Sequence, residues 1–394
     1  MLRPLSCLQE LANLKFDRET EISEASVVLG GEMGIMGEAR VLIVRHGEGR
    51  GAGANPNYMR RALRDLERER PELHRRLVLH HTGALAPSLS GIGAVVFWLK
   101  NPLRRYPACH AEAVRIAEGA RKNSIPLINP PEVLADFCKS RVGHLWRAAG
   151  IPTPEAERLD TFESLRDAAS RLQFPVVVRA DEEHAQKATR LVSDSSALRK
   201  LEETDLIFPC VVSPFIDLRS GYRDAAPRSA FARLFHKKRL IVAGGVIRSK
   251  HLMFSSSPFV AAKTSIFNKA RRFGRFENLF LLSRLHRQCV AHDLAYWQHG
   301  EEREALLLKA CEALGLKYAA LDYGTSFDGT HLLWEANPLF GIPKAEKIML
   351  PRARRAGERV TSYHAAIGTF LSGLLAERPM TTGEASPPLR ISAG

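Results

Sequence analysis

The chain has 394 residues, 45% hydrophobic and 25% charged, the balance of a globular protein of two or three packed units rather than a disordered or fibrous one. Lysine and arginine number 57 against 43 acids, a formal charge of +14 that favours anionic partners such as nucleotides, acidic metabolites or nucleic acid. No apolar run reaches transmembrane length, and Cys7, Cys109, Cys138, Cys210, Cys289 and Cys311 show no Cys-x-x-Cys spacing, so a reduced cytoplasmic protein is expected, without a membrane span, zinc site or disulfide framework.

Residues 1–38 have mixed polarity, and Met33 and Met36 stand just before the first strong strand; an optional extension and a helix from Leu8 to Phe16 packed on the body are both open readings. From Val41 the pattern alternates. A strand is followed by a helix around 57–70, strands near Arg76 to Leu79 and from Gly93 to Leu99, a helix around 108–122, and the strand from Ile125. Alternation of this kind predicts a small doubly wound parallel sheet. The Gly-rich stretch Gly47 to Gly53 follows the first strand, where such sheets bind ligands, but it does not match Gly-x-Gly-x-x-Gly. The basic residues of the helix beginning at Tyr58 read as a solvated face, and with no nucleic-acid motif beside them nucleic acid is not an expected partner.

A second unit starts at Pro130-Pro131. It predicts a helix over 132–149 ended by Gly150-Ile-Pro-Thr-Pro, a helix over 161–172, the apolar strand Phe174 to Arg179, a strand from Ala188 to Val192, a helix from Ser195 to Glu203, and the run Ile207 to Asp217. After a polar insertion at 218–228 come strands at Ala230 to Phe235 and Leu240 to Lys250, a helical region at 275–314, and a last hairpin. His80, His81, His292 and His299 have no partner at ligand spacing, and Ser255 lacks a nucleophile motif.

That hairpin, Tyr318 to Pro343, carries the sharpest signal. Asp328-Gly329 marks a two-residue turn, because both central positions need positive φ. Counting outward from Phe327 opposite Thr330 places Asp322 directly across from Glu335. Like charges so opposed are destabilising unless something positive lies between them. The period of two puts Asn337 on the same face, and two carboxylates with a neutral oxygen suit a hard divalent ion, above all Mg²⁺. A core hairpin whose acids face solvent is the alternative.

These residues together resemble the ATP-grasp superfamily, whose members include D-alanine-D-alanine ligase, glutathione synthetase and ribosomal-protein glutamate ligases. The resemblance runs from about Val41 to Gly341. It implies a mixed α/β and α+β architecture: a preceding α/β domain at 39–131, then an ATP-grasp fold with a first lobe at 132–212 and a second at 213–375, between an extension at 1–38 and a tail at 376–394. By resemblance, Lys139 and Arg179 contact the phosphates of ATP; Val211, Val212, Ser213 and Phe215 form the hinge that reads adenine; Asp217 takes the ribose; and Asp322, Glu335 and Asn337 hold Mg²⁺. The thirteen-position gap between the two acids matches the family spacing.

Two departures stand out. Residues 181–188 contain no glycine where relatives carry a Gly-rich lid, and Ala320 stands where some ligases have an arginine two positions before the first metal acid. Arg233, Arg248 and Lys250, expected on the preceding strands, are therefore the candidate catalytic cations. The implied activity is ligation of a small-molecule carboxylate to an amine or thiol through an acyl phosphate, with a homodimer one admissible assembly. A small-molecule kinase and a nucleotide-binding module without turnover are the alternatives.

Overall fold

A computed structural model describes residues 38–47, 63–64, 66–183, 188–261, 264–269, 284–299, 303–340 and 368–375. The expected extension up to residue 37, the Gly-rich stretch beyond Gly47, residues 57–62 and 65 of the helix expected at 57–70 and the tail after 375 lie outside these residues.

The first sheet is parallel in the order β2-β1-β3-β4, from β1 (Arg40–Arg45), β2 (Leu77–His81), β3 (Ile92–Trp98) and β4 (Leu127–Ile128). Every residue of β3, and of β1 after Arg40, is buried, as befits strands covered on both faces. Between them run α1 (Pro71–Arg75) and α2 (Pro107–Lys122). α2 opens on Pro107, whose missing N–H would lack a helical partner anyway, and turns Cys109, Ala113, Ile116, Ala117 and Ala120 inward at helical spacing.

The helix expected over 132–149 is two, α3 (Pro131–Ala135) and α4 (Lys139–Ala148). The second sheet is antiparallel in the order β5-β8-β6-β7, from β5 (Glu157–Leu159), β6 (Val176–Ala180), β7 (Arg190–Val192) and β8 (Cys210–Pro214). One face packs Leu159, Val176, Val178, Val192, Cys210 and Val212 against Leu165 of α5 (Phe162–Ala168) and Leu198 of α6 (Ser195–Arg199). Strand alternation leaves the opposite face to the residues between them. There the register sets Arg158, Val211 and Arg179 in one row across three strands.

The polar insertion forms α7 (Ser220–Ala225). The strand expected from Ala230 is instead a helical turn, α8 (Ala230–Arg233), because the Ser229 hydroxyl accepts from Phe231 N–H and caps it. The third sheet then runs β10-β9-β11-β12, antiparallel, from β9 (Phe235–Ala243), β10 (Val246–Ser255), β11 (Tyr318–Thr325) and β12 (His331–Asn337). Between β10 and β11 lie α9 (Ile266–Lys269), α10 (Arg284–His299) and α11 (Glu304–Glu312), and the last described helix, α12, covers 368–375. Leu42, Val95 and Phe97 of the first sheet share a buried cluster with Leu240, Leu321 and Leu333 of the third. Asn129, at the end of β4, locks the two together: its Nδ2 donates to Tyr318 O at 2.6 Å and its Oδ1 accepts from Lys317 N–H at 3.0 Å. No helix among the described residues is long and apolar enough to cross a membrane.

The β11–β12 hairpin pairs Asp322 with Glu335, as the residue count requires, but by a different route. The turn is a three-residue loop, Phe327-Asp328-Gly329, closed by Ser326 N–H donating to Thr330 O at 2.9 Å, and only Gly329 has positive φ, +80°. This shifts the register by one: Tyr323 faces Leu333. A bulge at Trp334 shifts it back before Asp322. Gly324 makes room for the bulge, since a Cβ there would lie 2.7 Å from the Trp334 ring and 2.0 Å from Leu218.

Candidate functional site

Asp322 is fully buried, and Arg239, directly opposite it on β9, holds both its carboxylate oxygens. Lys237, two residues earlier and so on the same face of β9, adds its ammonium at 2.9 Å. Burial pushes the Asp322 carboxyl up, but the two cations outweigh it and hold the group well below the usual carboxylate range. The positive charge expected near the two acids is therefore present, and β9 supplies it. Lys238 points to the other face, over the rings of Tyr296 and Tyr323 at 5.4 and 5.7 Å.

Glu335 faces a second pair of cations. Burial pushes both Lys139 and Arg179 down from their ordinary values, and Glu335 is the main charge that opposes this in each. Lys139 opens α4, and its ammonium donates to the carbonyls of Ala180, Asp181 and Glu183 at 2.9, 3.1 and 2.5 Å. Asp181 answers from the end of β6: its carboxylate accepts from Ser140 N–H at 2.8 Å and from Ser140 Oγ at 2.7 Å. α4 and the end of β6 are thus tied at the point where the two sheets meet. The Nε of Arg179 and the Nδ2 of Asn337 are buried without a hydrogen-bond partner among the described residues.

Beyond Val212 the β8 backbone has a strand partner among the described residues only on the β6 side, because β5 begins opposite it at Glu157. Ser213 and Phe215, expected in the hinge, adjoin that edge, and Phe215 N–H is tied to Pro175 O at 2.9 Å. Asp217 is engaged already: Arg219 reaches it through Nε and Nη2 at 2.7 and 2.8 Å, and Arg223 at 2.9 Å. Arg219 also lies over the ring of Phe235 at 3.4 Å. A ribose hydroxyl would have to compete with two guanidinium groups for that carboxylate.

The cations expected to act are elsewhere. Arg233 is exposed at the end of α8, and Arg248 is exposed on the edge strand β10, opposite Ile241 and two strands away from Asp322. The side chain of Lys250 lies outside the described residues. Lys237 and Arg239 stand where sequence reasoning looked for those residues. Their signal was the run His236-Lys237-Lys238-Arg239, legible as functional only once β9, not β10, is known to lie beside β11.

Four cations meet one carboxylate pair here. Lys139, Arg179, Lys237 and Arg239 gather around the Asp322–Glu335 pair, whereas both oxygens of Asp322 are engaged. No group of three His, Cys, Asp or Glu side chains among the described residues is placed to hold a metal. Asp322, expected to hold Mg²⁺ with Glu335 and Asn337, meets Arg239 and Lys237 through its two oxygens.

No protein-family model and no curated protein matches the sequence. Solved structures similar to it include a RimK domain ATP-grasp protein from Sphaerobacter thermophilus, 18% identical over 84% of this chain and 100% of its own, with a TM-score of 0.45. The D-cycloserine synthetase DcsG is 14% identical over 84% of this chain and 100% of its own, with a TM-score of 0.46. A D-alanine-D-alanine ligase from Bacillus anthracis, complexed with ATP, is 15% identical over 85% of this chain and 98% of its own, with a TM-score of 0.46.

Proposed function

We propose that the chain is an ATP-dependent ligase that joins a small carboxylate to an amine or thiol through an acyl phosphate, releasing ADP and phosphate. The observation that carries this reading is the convergence of four cations from two sheets and α4 on one carboxylate pair, Asp322 and Glu335. Lys139 and Arg179 would bind the polyphosphate; Lys237 and Arg239 would meet the charge on the phosphoryl group in transit. A carboxylate oxygen bonds to the γ-phosphorus as the bond to the β-phosphate oxygen breaks, giving ADP. The amine or thiol then attacks the acyl carbon, loses its proton, and phosphate leaves. Positioning and fixed charge supply most of the rate in such transfers, so no side-chain nucleophile is required. When bound, Mg²⁺ would add charge neutralisation at the terminal phosphates.

Hydroxylamine in place of the amine tests the chemistry. With the right acid present, a hydroxamate should accumulate with ADP and phosphate. AMP with pyrophosphate, or a stable phosphorylated alcohol, would refute the ligase reading. A nucleotide-binding module without turnover is the second reading, favoured by the arginine-held carboxylates of Asp217 and Asp322. ATP binding with no ADP release over a matrix of amino acids and small carboxylates would establish it.

A further inference from the structure

The inner side of α10 is polar where packing alone would call for apolar side chains. Its buried residues, Cys289, Asp293 and Tyr296, follow one another at spacings of four and three, so they share one face of the helix. That face packs on β10. An acid is almost never buried without partners, and a buried phenol usually finds one. Asp293 and Tyr296 both find theirs in the third sheet, beside Arg239.

Ser249 of β10 pairs with Leu240 and His251 with Arg239, so Lys250 is an extra residue, a bulge that interrupts the β9–β10 ladder next to Arg239. α10 fastens both sides of the interruption. On β10, one carboxylate oxygen of Asp293 accepts from Leu252 N–H at 2.9 Å and lies 3.5 Å from Nδ1 of His251. On β9, the Tyr296 hydroxyl donates its one proton to the carbonyl of Arg239 at 3.2 Å, which leaves its oxygen to accept from the Tyr323 hydroxyl at 3.0 Å. Tyr323 follows Asp322 on β11. A single phenol is thus tied to the arginine and to the neighbour of the acid that the arginine holds.

We infer that Tyr296, with Asp293 one turn before it, is a positioning residue: it fixes the main chain of Arg239 across the bulge, so that the guanidinium stays in register with both oxygens of Asp322. The hold passes through the backbone, because Tyr296 lies on the face to which Lys238 points and Arg239 turns to the other. A forked arginine–carboxylate pair is sensitive to such placement, since its two N–H···O bonds must run in parallel. On the ligase reading this hold sets the guanidinium proposed to meet the phosphoryl group; the positioning itself does not depend on that reading.

A double-mutant cycle on the full chain tests it, read by urea denaturation of the native chain, Tyr296→Phe, Asp322→Asn and the double variant. Tyr296→Phe keeps the ring beneath Lys238 and removes only the hydroxyl. If the hydroxyl positions Arg239 for Asp322, its removal should raise the unfolding constant of the native chain by roughly twofold or more beyond its effect in Asp322→Asn, the lower end of the coupling seen within one hydrogen-bond network. An equal effect in both backgrounds would overturn the inference and reduce Tyr296 to packing of α10. Should the double variant fail to fold, the carboxyl-carbon NMR resonance of Asp322 in Tyr296→Phe decides. A titration point moved up toward the ordinary carboxylate range supports positioning, and an unmoved one overturns it. ADP release separates the two readings. Coupling in a chain that releases no ADP with any acid offered would leave the positioning standing and remove the ligase reading, and additive effects in a chain that does release ADP would do the reverse.

Discussion

Arg239 on β9 and Asp322 on β11 face each other directly, and the arginine holds both oxygens of an acid that has no exposure to solvent. Asp322→Asn therefore leaves Arg239 and Lys237 facing an amide that cannot neutralise them. Breaking a buried ion pair from one side costs about 3–5 kcal/mol, and a denaturant titration should show a loss of that order. Unchanged stability would mean that the two cations swing out to solvent with no penalty, and the cluster would not be preformed.

The same pair sets an acid limit. The folded-state pKa of Asp322 lies below its unfolded value of about 4, so its contribution is fully present above that value and is lost as pH falls through the lower, folded one. The stability gap between the native chain and Asp322→Asn should be constant near neutrality and narrow only below about pH 4. Chemical denaturation of both proteins across that range measures the gap. A gap that closes near neutrality would place the titrating group elsewhere.

The first sheet was legible because β1 and β3 carry apolar runs, Val41 to Val44 and Ala94 to Trp98, and the pairing of Asp322 with Glu335 because Asp328-Gly329 marks a turn. That pairing survived two departures that cancel: the loop is one residue longer than Asp-Gly alone suggests, and the Trp334 bulge restores the register. Neither leaves a local mark, since the space for the bulge comes from Gly324 on the partner strand. The roles of Lys237 and Arg239 were hidden for a related reason. They fall between the strands expected at Ala230 to Phe235 and Leu240 to Lys250, whereas β9 runs unbroken over Phe235–Ala243, and the strand order that sets it beside β11 comes from long-range packing. Ala230–Arg233, expected as strand, is a helical turn capped by the Ser229 side chain.

Lys139 and Arg179 give a binding prediction. If both contact phosphates, Lys139→Met or Arg179→Met should each weaken ATP by about 1.5–3 kcal/mol, the range for hydrogen bonds to charged groups, and leave adenosine nearly unaffected. Calorimetry with both ligands separates the cases. Lys139→Met carries a further cost, because its ammonium also ties three carbonyls at the end of β6, and its melting temperature should fall more than that of Arg179→Met. Equal losses for ATP and adenosine would show damage to the second sheet rather than a lost phosphate contact.

Glu335 distinguishes a metal-dependent site from a purely cationic one. Its carboxylate opposes the effect of burial on Lys139 and Arg179, the two cations proposed to hold the polyphosphate. In the presence of chelator, Glu335→Gln removes a negative charge that an incoming polyanion would otherwise meet, so ATP should bind several-fold more tightly, a gain of about 1 kcal/mol. With Mg²⁺ present the sign depends on the role of the carboxylate. If Glu335 supports the ion, the native chain should gain affinity on adding Mg²⁺ and the variant should gain little, while ADP release by the variant falls. If Glu335 is only a counter-charge to the cations, the variant should bind ATP more tightly with and without the ion. Affinities of both proteins with Mg²⁺ and with chelator close the comparison, and weaker ATP binding by the variant in chelator would show that Glu335 orders Lys139 and Arg179 instead of competing for them.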